Sequence, residues 1–372
     1  MKKNIGVFTR KKVYHYRVPL FKRLINNKKY NIKIFTGDKK FKNLSANILE
    51  EKKFKIFNKE IRYQLNLKEK IQNNNLDIAI MPFSPYNLST MKIVLNNNRN
   101  YKIVAWTHGY FKGNEFDSWK MKIFQFFLKK TDGILFFTED IADYYKKNVF
   151  PEKKIFYADN TLNIRKIEEA KRSVTDKQLN RIKKKYNLVN RNTLIFVGRI
   201  IKNKRLKILL KALKFIKNNS NIKTPFLFII GDGPEKVRLK KFSQKFLSDD
   251  VVWLGKIINE EYLAPYFLSS DIFVMPGKTG LCINHAFAYE LPYITTDDNI
   301  HAPEFYLFEN EENGELFESE NYKDLASKIE NLLLNPKTIN RYSKNGYKII
   351  KERYNLKNME KNILNMIDEL VE

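Results

Sequence analysis

Ile272-Phe273-Val274-Met275-Pro276-Gly277-Lys278-Thr279-Gly280-Leu281-Cys282-Ile283-Asn284-His285-Ala286-Phe287-Ala288-Tyr289-Glu290-Leu291-Pro292-Tyr293-Ile294 is the stretch on which the rest of the chain is organised. Ile272 to Met275 reads as a buried strand, and Pro276 to Gly280 as a turn of small residues. Leu281 to about Tyr289 follows a helical pattern, closed by Pro292 before a second strand at Tyr293 to Thr296. A strand, a glycine turn and a helix start together make an anion site. The first N–H groups of a helix lack intrahelical acceptors, and its dipole favours negative charge. The turn is therefore read as the holder of a diphosphate. An ordinary strand-to-helix connection is the competing reading.

Working back from this stretch, the same unit recurs. Thr193 to Val197 is a strand leading into Gly198-Arg199-Ile200-Ile201-Lys202-Asn203-Lys204-Arg205. Arg199 can fork onto phosphate oxygens and Lys204 can add a point charge. Phe226 to Ile230 ends in Gly231-Asp232-Gly233-Pro234, and Val251 to Leu254 ends at Gly255-Lys256. Before them, residues 166–190 are highly charged with no strand signal, and a domain boundary is expected there, with part of the segment open to a helical reading. Strand–helix alternation also runs through the first half: Asn4–Phe8, Ile32–Phe35, Asp77–Met81, Lys102–Trp106, Gly133–Phe137 and Lys154–Tyr157. Alternation of this kind predicts an α/β fold with two doubly wound, Rossmann-like domains. Loops at the carboxyl ends of strands are the functional candidates. In the first half these include His15, Tyr16 and Arg17, before a helix with Pro19 near its start, and His108-Gly109 after the strand ending at Trp106. The last apolar residues, Leu356, Met359, Ile363, Met366, Ile367 and Leu370, recur at helical spacing and need a partner.

Charge divides the chain. Residues 1–150 hold 31 Lys and Arg against 12 Asp and Glu, a net +19, while residues 201–372 are at +1. A basic first half points to an anionic partner such as a membrane surface or a lipid diphosphate; Lys-rich codon bias is the bland alternative. Phe116 to Lys130 is a basic, aromatic helix suited to a bilayer interface or to packing on the sheet. One cysteine, Cys282, excludes an intramolecular disulfide, and no run of about 18 apolar residues occurs. Residues 1–10 contain no apolar core of signal-peptide length, so a cytoplasmic protein is expected, with peripheral attachment to the inner face of the membrane. Gly277-Lys278-Thr279 imitates a phosphate-loop ending, but Ile272 stands where its first glycine is required. No Asp-x-Asp, zinc spacing or nucleophile elbow is present, so no metal or cofactor is expected. Nucleic acid is not an expected partner either, since basic and aromatic residues are not interleaved as such binding requires.

The second half resembles family 4 glycosyltransferases of the GT-B fold. The resemblance rests on Phe196-Val197-Gly198-Arg199 with Lys204, Ile230-Gly231-Asp232-Gly233-Pro234, Trp253-Leu254-Gly255, Asp271 to Pro276, Gly280-Leu281, Ala286-Phe287-Ala288, Leu291-Pro292, Pro303-Glu304 and Asn313-Gly314. Tyr16-Arg17-Val18-Pro19-Leu20-Phe21 and Trp106-Thr107-His108-Gly109 are similar to polysaccharide-building members. The resemblance implies domains at 1–165 and 191–352 facing across a cleft, a linker at 166–190, and a helix at 353–372 crossing back to the first domain. It implies catalytic roles for His108, Arg199 and Lys204. The donor, a nucleotide sugar, would meet Gly198, Arg199, Lys204, Trp253, Gly255, Lys256, Gly277, Lys278, Thr279, Gly280, Leu281, His285 and Glu304. A glycan or lipid-linked acceptor would meet His15, Tyr16, Arg17, His108 and Gly109. The family's Glu-x7-Glu carboxylates are replaced by Gly277 and His285, which puts sugar recognition in doubt while leaving His285 able to bond a ribose. The implied reaction is retaining and metal-independent. A GT-B epimerase or phosphorylase and a non-catalytic partner subunit remain the alternatives.

Overall fold

Two parallel sheets organise the computed structural model, which describes residues 2–9, 13–38, 47–48, 50–56, 59–84, 86–109 and 119–372. The chain divides into one unit of Met1–Asn160 with Leu356–Glu372, and a second of Thr161–Asn355.

In the first unit, β1 (Asn4–Phe8), β2 (Asn31–Thr36) and the short β3 (Asn47–Ile48) precede an antiparallel pair, β4 (Glu50–Ile56) and β5 (Lys59–Leu65). β6 (Ile78–Pro82), β7 (Lys102–Thr107), β8 (Gly133–Phe136) and β9 (Ile155–Tyr157) follow. The sheet runs β3-β2-β1-β6-β7-β8-β9, parallel throughout. Alternate residues of its strands feed two separate cores, as the period of two requires. Ile5, Val7, Ile78 and Ile80 pack with α1 (Val18–Ile25) and the C-terminal helix Leu356–Val371. Phe8, Ala79 and Met81 pack with α2 (Leu67–Asn73), α3 (Leu88–Val94), α4 (Trp119–Lys129) and α5 (Glu139–Asn148). The C-terminal helix buries Leu356, Met359, Ile363, Met366, Ile367 and Leu370, so its apolar stripe is covered within this unit. On α4, Met121, Phe124 and Leu128 turn inward while Ile123 and Phe126 are exposed beside Lys122, Lys129 and Lys130. The start expected for that helix, residues 116–118, lies outside the described residues.

The second unit begins with α6 (Ile164–Ser173) and α7 (Asp176–Lys185). Residues 166–190, expected as a linker, are therefore mostly helical and belong to the second unit. Ile164, Ile167 and Ala170 are buried in its core, and Thr175 with Gln178 forms a capping box opening α7. The charges that disguised the segment lie on the outer faces of these helices. β10 (Thr193–Val197), α8 (Leu206–Asn219), β11 (Phe226–Ile230), α9 (Lys236–Phe246), β12 (Val251–Gly255), α10 (Glu260–Leu268), β13 (Ile272–Met275), α11 (Cys282–Ala288), β14 (Tyr293–Thr296), β15 (Gly314–Phe317), α12 (Tyr322–Leu333) and α13 (Pro336–Glu352) complete it. The parallel order is β12-β11-β10-β13-β14-β15. From β10 the chain winds outward through β11 to β12, then returns to β13 on the other side. The loops after β10 and β13 thus flank the topological switch point, where ligands of open α/β sheets bind. No helix among the described residues is long and apolar enough to cross a membrane.

Candidate functional site

Beyond Val197 the chain turns through Gly198–Arg205, held by neighbouring strand ends on both sides. The Gly198 N–H donates to the Ile230 carbonyl at 3.0 Å, and the Ile200 N–H to the Asp232 carbonyl at 2.9 Å. Gly231 makes this approach possible. At its φ of +150°, a Cβ would stand 1.9 Å from the Gly198 carbonyl oxygen. From the other side the Lys278 N–H donates to the Asn203 carbonyl at 2.9 Å, and a Cβ on Gly277 would stand 2.3 Å from that same oxygen. The backbone itself, then, excludes a carboxylate at position 277.

Four cations sit on this turn: Arg199, the exposed Lys202, Lys204 and Arg205. Arg199 is exposed, and its guanidinium has no hydrogen bond or ion pair among the described residues. Lys204 donates from Nζ to the Lys278 carbonyl, joining the two turns and leaving two further N–H donors. Arg205, read from sequence only as part of the basic run, has φ +50°, a left-handed conformation that costs a side-chain-bearing residue about 1–2 kcal/mol. Its side chain holds the conformation in place. Nη1 donates to Ser319 Oγ at 3.0 Å, Nη2 reaches Asp298 Oδ2 at 2.7 Å, and Nε meets Glu320 Oε1 at 2.8 Å. The bond from Arg205 is the main reason the Asp298 carboxyl is held below its ordinary range.

The Pro276–Leu281 turn departs from expectation. α11 begins at Cys282 and spans 7 residues. The Thr279 N–H, expected to face phosphate, donates instead to His301 Nδ1 at 3.0 Å. The Ala302 N–H donates back to the Thr279 carbonyl at 3.0 Å, and the Thr279 hydroxyl lies 3.1 Å from the Tyr293 hydroxyl and 3.2 Å from that of Thr295. Fully buried, Thr279 is a strut of the turn. The Gly280 and Leu281 N–H groups have no acceptor among the described residues and are the amides left for an anion. His301 Nε2 lies 2.9 Å from the Thr296 carbonyl, which can only accept, so the imidazole is the neutral Nε2–H tautomer. Burial pushes its pKa down to about 4.

His285 also differs from the simplest expectation. Its Nε2 lies 2.8 Å from Glu260 Oε1, which the Tyr289 hydroxyl also meets at 2.7 Å, and its ring packs 4.7 Å from that of Phe267. Glu260, which sequence reasoning missed, stays below its usual carboxyl range. Burial opposes the shift, but the His285 charge and the bonds from His285 and Tyr289 outweigh it. The Trp253 indole donates to Ser243 Oγ at 2.9 Å on α9, leaving Gly255 and the exposed Lys256 at the end of β12. Glu304 is buried in the 3-10 turn Pro303–Leu307, and Gly198 and Lys278 contribute main-chain contacts.

The first-unit candidates gather around one ring. Phe137 stacks with His108 at 4.3 Å and with Trp106 at 5.4 Å, and the Arg17 guanidinium lies 4.9 Å from Phe137 and 5.2 Å from Trp106. His15 and Tyr16 share the 3-10 turn with Arg17. Gly109 has φ +66°, where a Cβ would stand 2.8 Å from Ile141. His108 and His15 are exposed. A separate basic hollow of about 660 Å³, lined by Lys3, Arg99, Lys102, Lys129 and Lys130, lies at the amino ends of β6, β7 and β8, opposite these residues.

Comparison with known proteins follows the same division. Residues 179–349 match the family described as glycosyl transferases group 1. An uncharacterized glycosyltransferase of Methanocaldococcus jannaschii is 25% identical over 253 residues, which span 65% of this chain and 60% of that relative. A glycosyltransferase from Rickettsia africae superposes with a TM-score of 0.75 at 16% identity, covering 100% of this chain and 99% of that one. Anabaena HepE, solved in complex with UDP, gives 0.69 at 13% identity, covering 99% and 100%. The chain therefore has the fold of GT-B glycosyltransferases, with two Rossmann-like domains, and over residues 179–349 it matches the group 1 glycosyl transferase family.

Proposed function

We propose that the protein transfers one sugar from a nucleotide-diphosphate donor to a glycan or lipid-linked glycan of a bacterial surface polysaccharide, with retention and without a metal. One observation carries the reading. A solvent-facing Arg199, a Lys204 tied to the Lys278 carbonyl, and the free Gly280 and Leu281 amides all lie on the two turns beside the switch point. These groups suit a diphosphate better than a neutral ligand. In the reaction the acceptor hydroxyl replaces the nucleoside diphosphate on the anomeric carbon, and its proton passes to the departing diphosphate. Arg199 and Lys204 stabilise the charge that develops there. His108 serves the donor sugar, and His15, Tyr16, Arg17 and Gly109 the acceptor. Gly255 and Lys256 border the base, with His285 and Glu260 towards the ribose. Uridine nucleotides come first as donors, since a protein of this fold is solved with UDP and with UDP-glucose.

A thermal-shift panel of UDP, GDP, ADP and their sugars tests the reading. A ligand at 100 times its Kd should stabilise the protein by about 2.7 kcal/mol. Stabilisation by one base and loss of the shift in Arg199→Ala are expected. No response to any nucleoside diphosphate would remove the proposal, and binding without transfer or hydrolysis would identify a non-catalytic partner.

Attachment to an anionic membrane belongs to the same proposal. Ile123 and Phe126 stand exposed among Lys122, Lys129 and Lys130, the arrangement of an interfacial helix. The protein should sediment with vesicles containing anionic phospholipid and remain behind with purely zwitterionic ones. Equal partition between the two would remove this part.

A further inference from the structure

Arg205 stands next to Lys204 and takes no part in the reading above. Its conformation is nevertheless one that a side chain resists, and its side chain is fastened at three points. Tracing those fastenings gives a closed circuit. Arg205 grips Asp298, on the loop after β14. Three residues on, His301 accepts the Thr279 N–H and holds the Thr296 carbonyl. Lys278, the neighbour of Thr279, donates its N–H to the Asn203 carbonyl and accepts from Lys204 Nζ through its own. Lys204 is the neighbour of Arg205, and the circuit closes. The loop carrying Asp298 and His301 is thereby bonded both to the cationic turn and to the Pro276–Leu281 turn. Ser319 reinforces it, bonding Asp298 Oδ2 from its hydroxyl at 3.2 Å and Asp297 Oδ1 from its N–H at 2.9 Å.

We propose that Arg205 is a positioning residue, latching the Lys204 turn through Asp298 and Ser319 so that the Lys204 ammonium and the Gly280 and Leu281 amides are held ready for a diphosphate. The inference rests on the donor-site reading and names what sets that site's geometry. Three considerations support it. Lys204 has four rotatable carbons and no carboxylate partner among the described residues, so its place depends on the backbone beneath it. That backbone is a 3-10 turn, Lys202–Lys204, whose C-cap is Arg205. Glycine would take the same φ without strain, so a side chain here is explained by its contacts rather than by the turn.

Glycine is also what makes the idea testable. Arg205→Gly removes the latch while relieving the strained φ, so folding should survive with an unchanged or higher thermal midpoint. Asp298→Ala cuts the tie to the loop after β14, the arm that closes the circuit, and leaves the Arg205 charge in place on Ser319 and Glu320. Binding of UDP, GDP and ADP is measured by calorimetry for the wild type, Arg205→Gly, Asp298→Ala, the double variant and Lys204→Ala. For the base that binds, both single variants should weaken the affinity by about tenfold. Turnover should fall by about 10- to 100-fold, the scale of a misplacement near 1 Å, and the double variant should lose no more than either single one. Wild-type affinity in Arg205→Gly overturns the latch. So does weakening in Arg205→Gly with none in Asp298→Ala, which would mean that the tie to Asp298 does not set the site. If Lys204→Ala loses binding while both latch variants keep it, the donor site stands and only the latch fails. If the wild type binds none of the three nucleotides, the donor-site reading fails and the latch with it.

Discussion

Replacing Arg199 by alanine is expected to lower turnover by about 10²–10³, the usual consequence of losing one preorganised donor to developing charge, while leaving the thermal midpoint almost unmoved. The two halves of this expectation have separate causes. Arg199 is exposed and makes no hydrogen bond or ion pair among the described residues, so the folded protein loses nothing that holds it together. Substitutions of that kind usually stay within about 0.5 kcal/mol. Its cost falls on the transition state, where negative charge gathers on the leaving diphosphate. Arg199→Lys should recover part of the rate, because an ammonium supplies the charge without the planar fork. Lys204→Ala is a less clean experiment. Its Nζ also holds the Lys278 carbonyl, so the loss would mix catalysis with the shape of the turn. Steady-state kinetics and melting curves on Arg199→Ala separate the two readings: normal turnover would detach Arg199 from the chemistry, and a collapsed midpoint would make it a structural residue.

The sequence showed the strands and the glycines but not what the glycines are for. Apolar runs such as Ile272–Met275 and Phe226–Ile230 are legible because a strand buried on both faces admits little else. Gly231 and Gly277 were legible as markers of turns. That each accommodates the carbonyl of a distant loop, Gly198 in one case and Asn203 in the other, depends on contacts no local pattern contains. The β4–β5 pair went unread because its lysines hide a period of two, still visible at Ile61, Tyr63 and Leu65. The bounds of the helices at 164–185 went unread for a similar reason, although part of the segment was expected to be helical and Thr175-x-x-Gln178 is a recognisable helix start. At the site, Lys204 could be singled out by charge and spacing, whereas Arg205 could not, since a left-handed arginine has no sequence signature. Glu260 lies 25 residues from the imidazole it meets. His301 is the instructive omission. Scarcity drew attention to histidine in a chain with four, and His301 is the one that fixes the turn from inside.

His301 also gives the site a dependence on acidity. Its Nδ1 accepts the Thr279 N–H, so a proton can enter only by breaking that bond. Burial is the largest cause of its lowered pKa, about 4 against an ordinary 6.5; Lys204 and Arg205 push the same way, while the Thr296 carbonyl and Asp298 pull back. A folded-state pKa below the unfolded one means that the unfolded chain takes up a proton first. Stability is thus undiminished above pH 6.5, falls as pH drops from there, and has lost this contribution once the pH is below about 4. The difference corresponds to about 3 kcal/mol at most, as an order of magnitude. Carboxyls with lowered pKa, Glu260 and Asp298 among them, add acid sensitivity of their own at lower pH. His301→Gln isolates the histidine, because an amide can accept from the Thr279 N–H and donate to the Thr296 carbonyl without titrating. Between pH 6.5 and 4.5 the wild type should lose stability faster than His301→Gln, and the two curves should run parallel above pH 7. Since a protonated His301 would release the Thr279 amide and with it one side of the Pro276–Leu281 turn, nucleotide affinity should weaken over the same interval in the wild type and hold in the variant. Identical acid profiles for the two proteins, read by urea titration at each pH, would show that His301 accepts its proton freely and does not hold the turn.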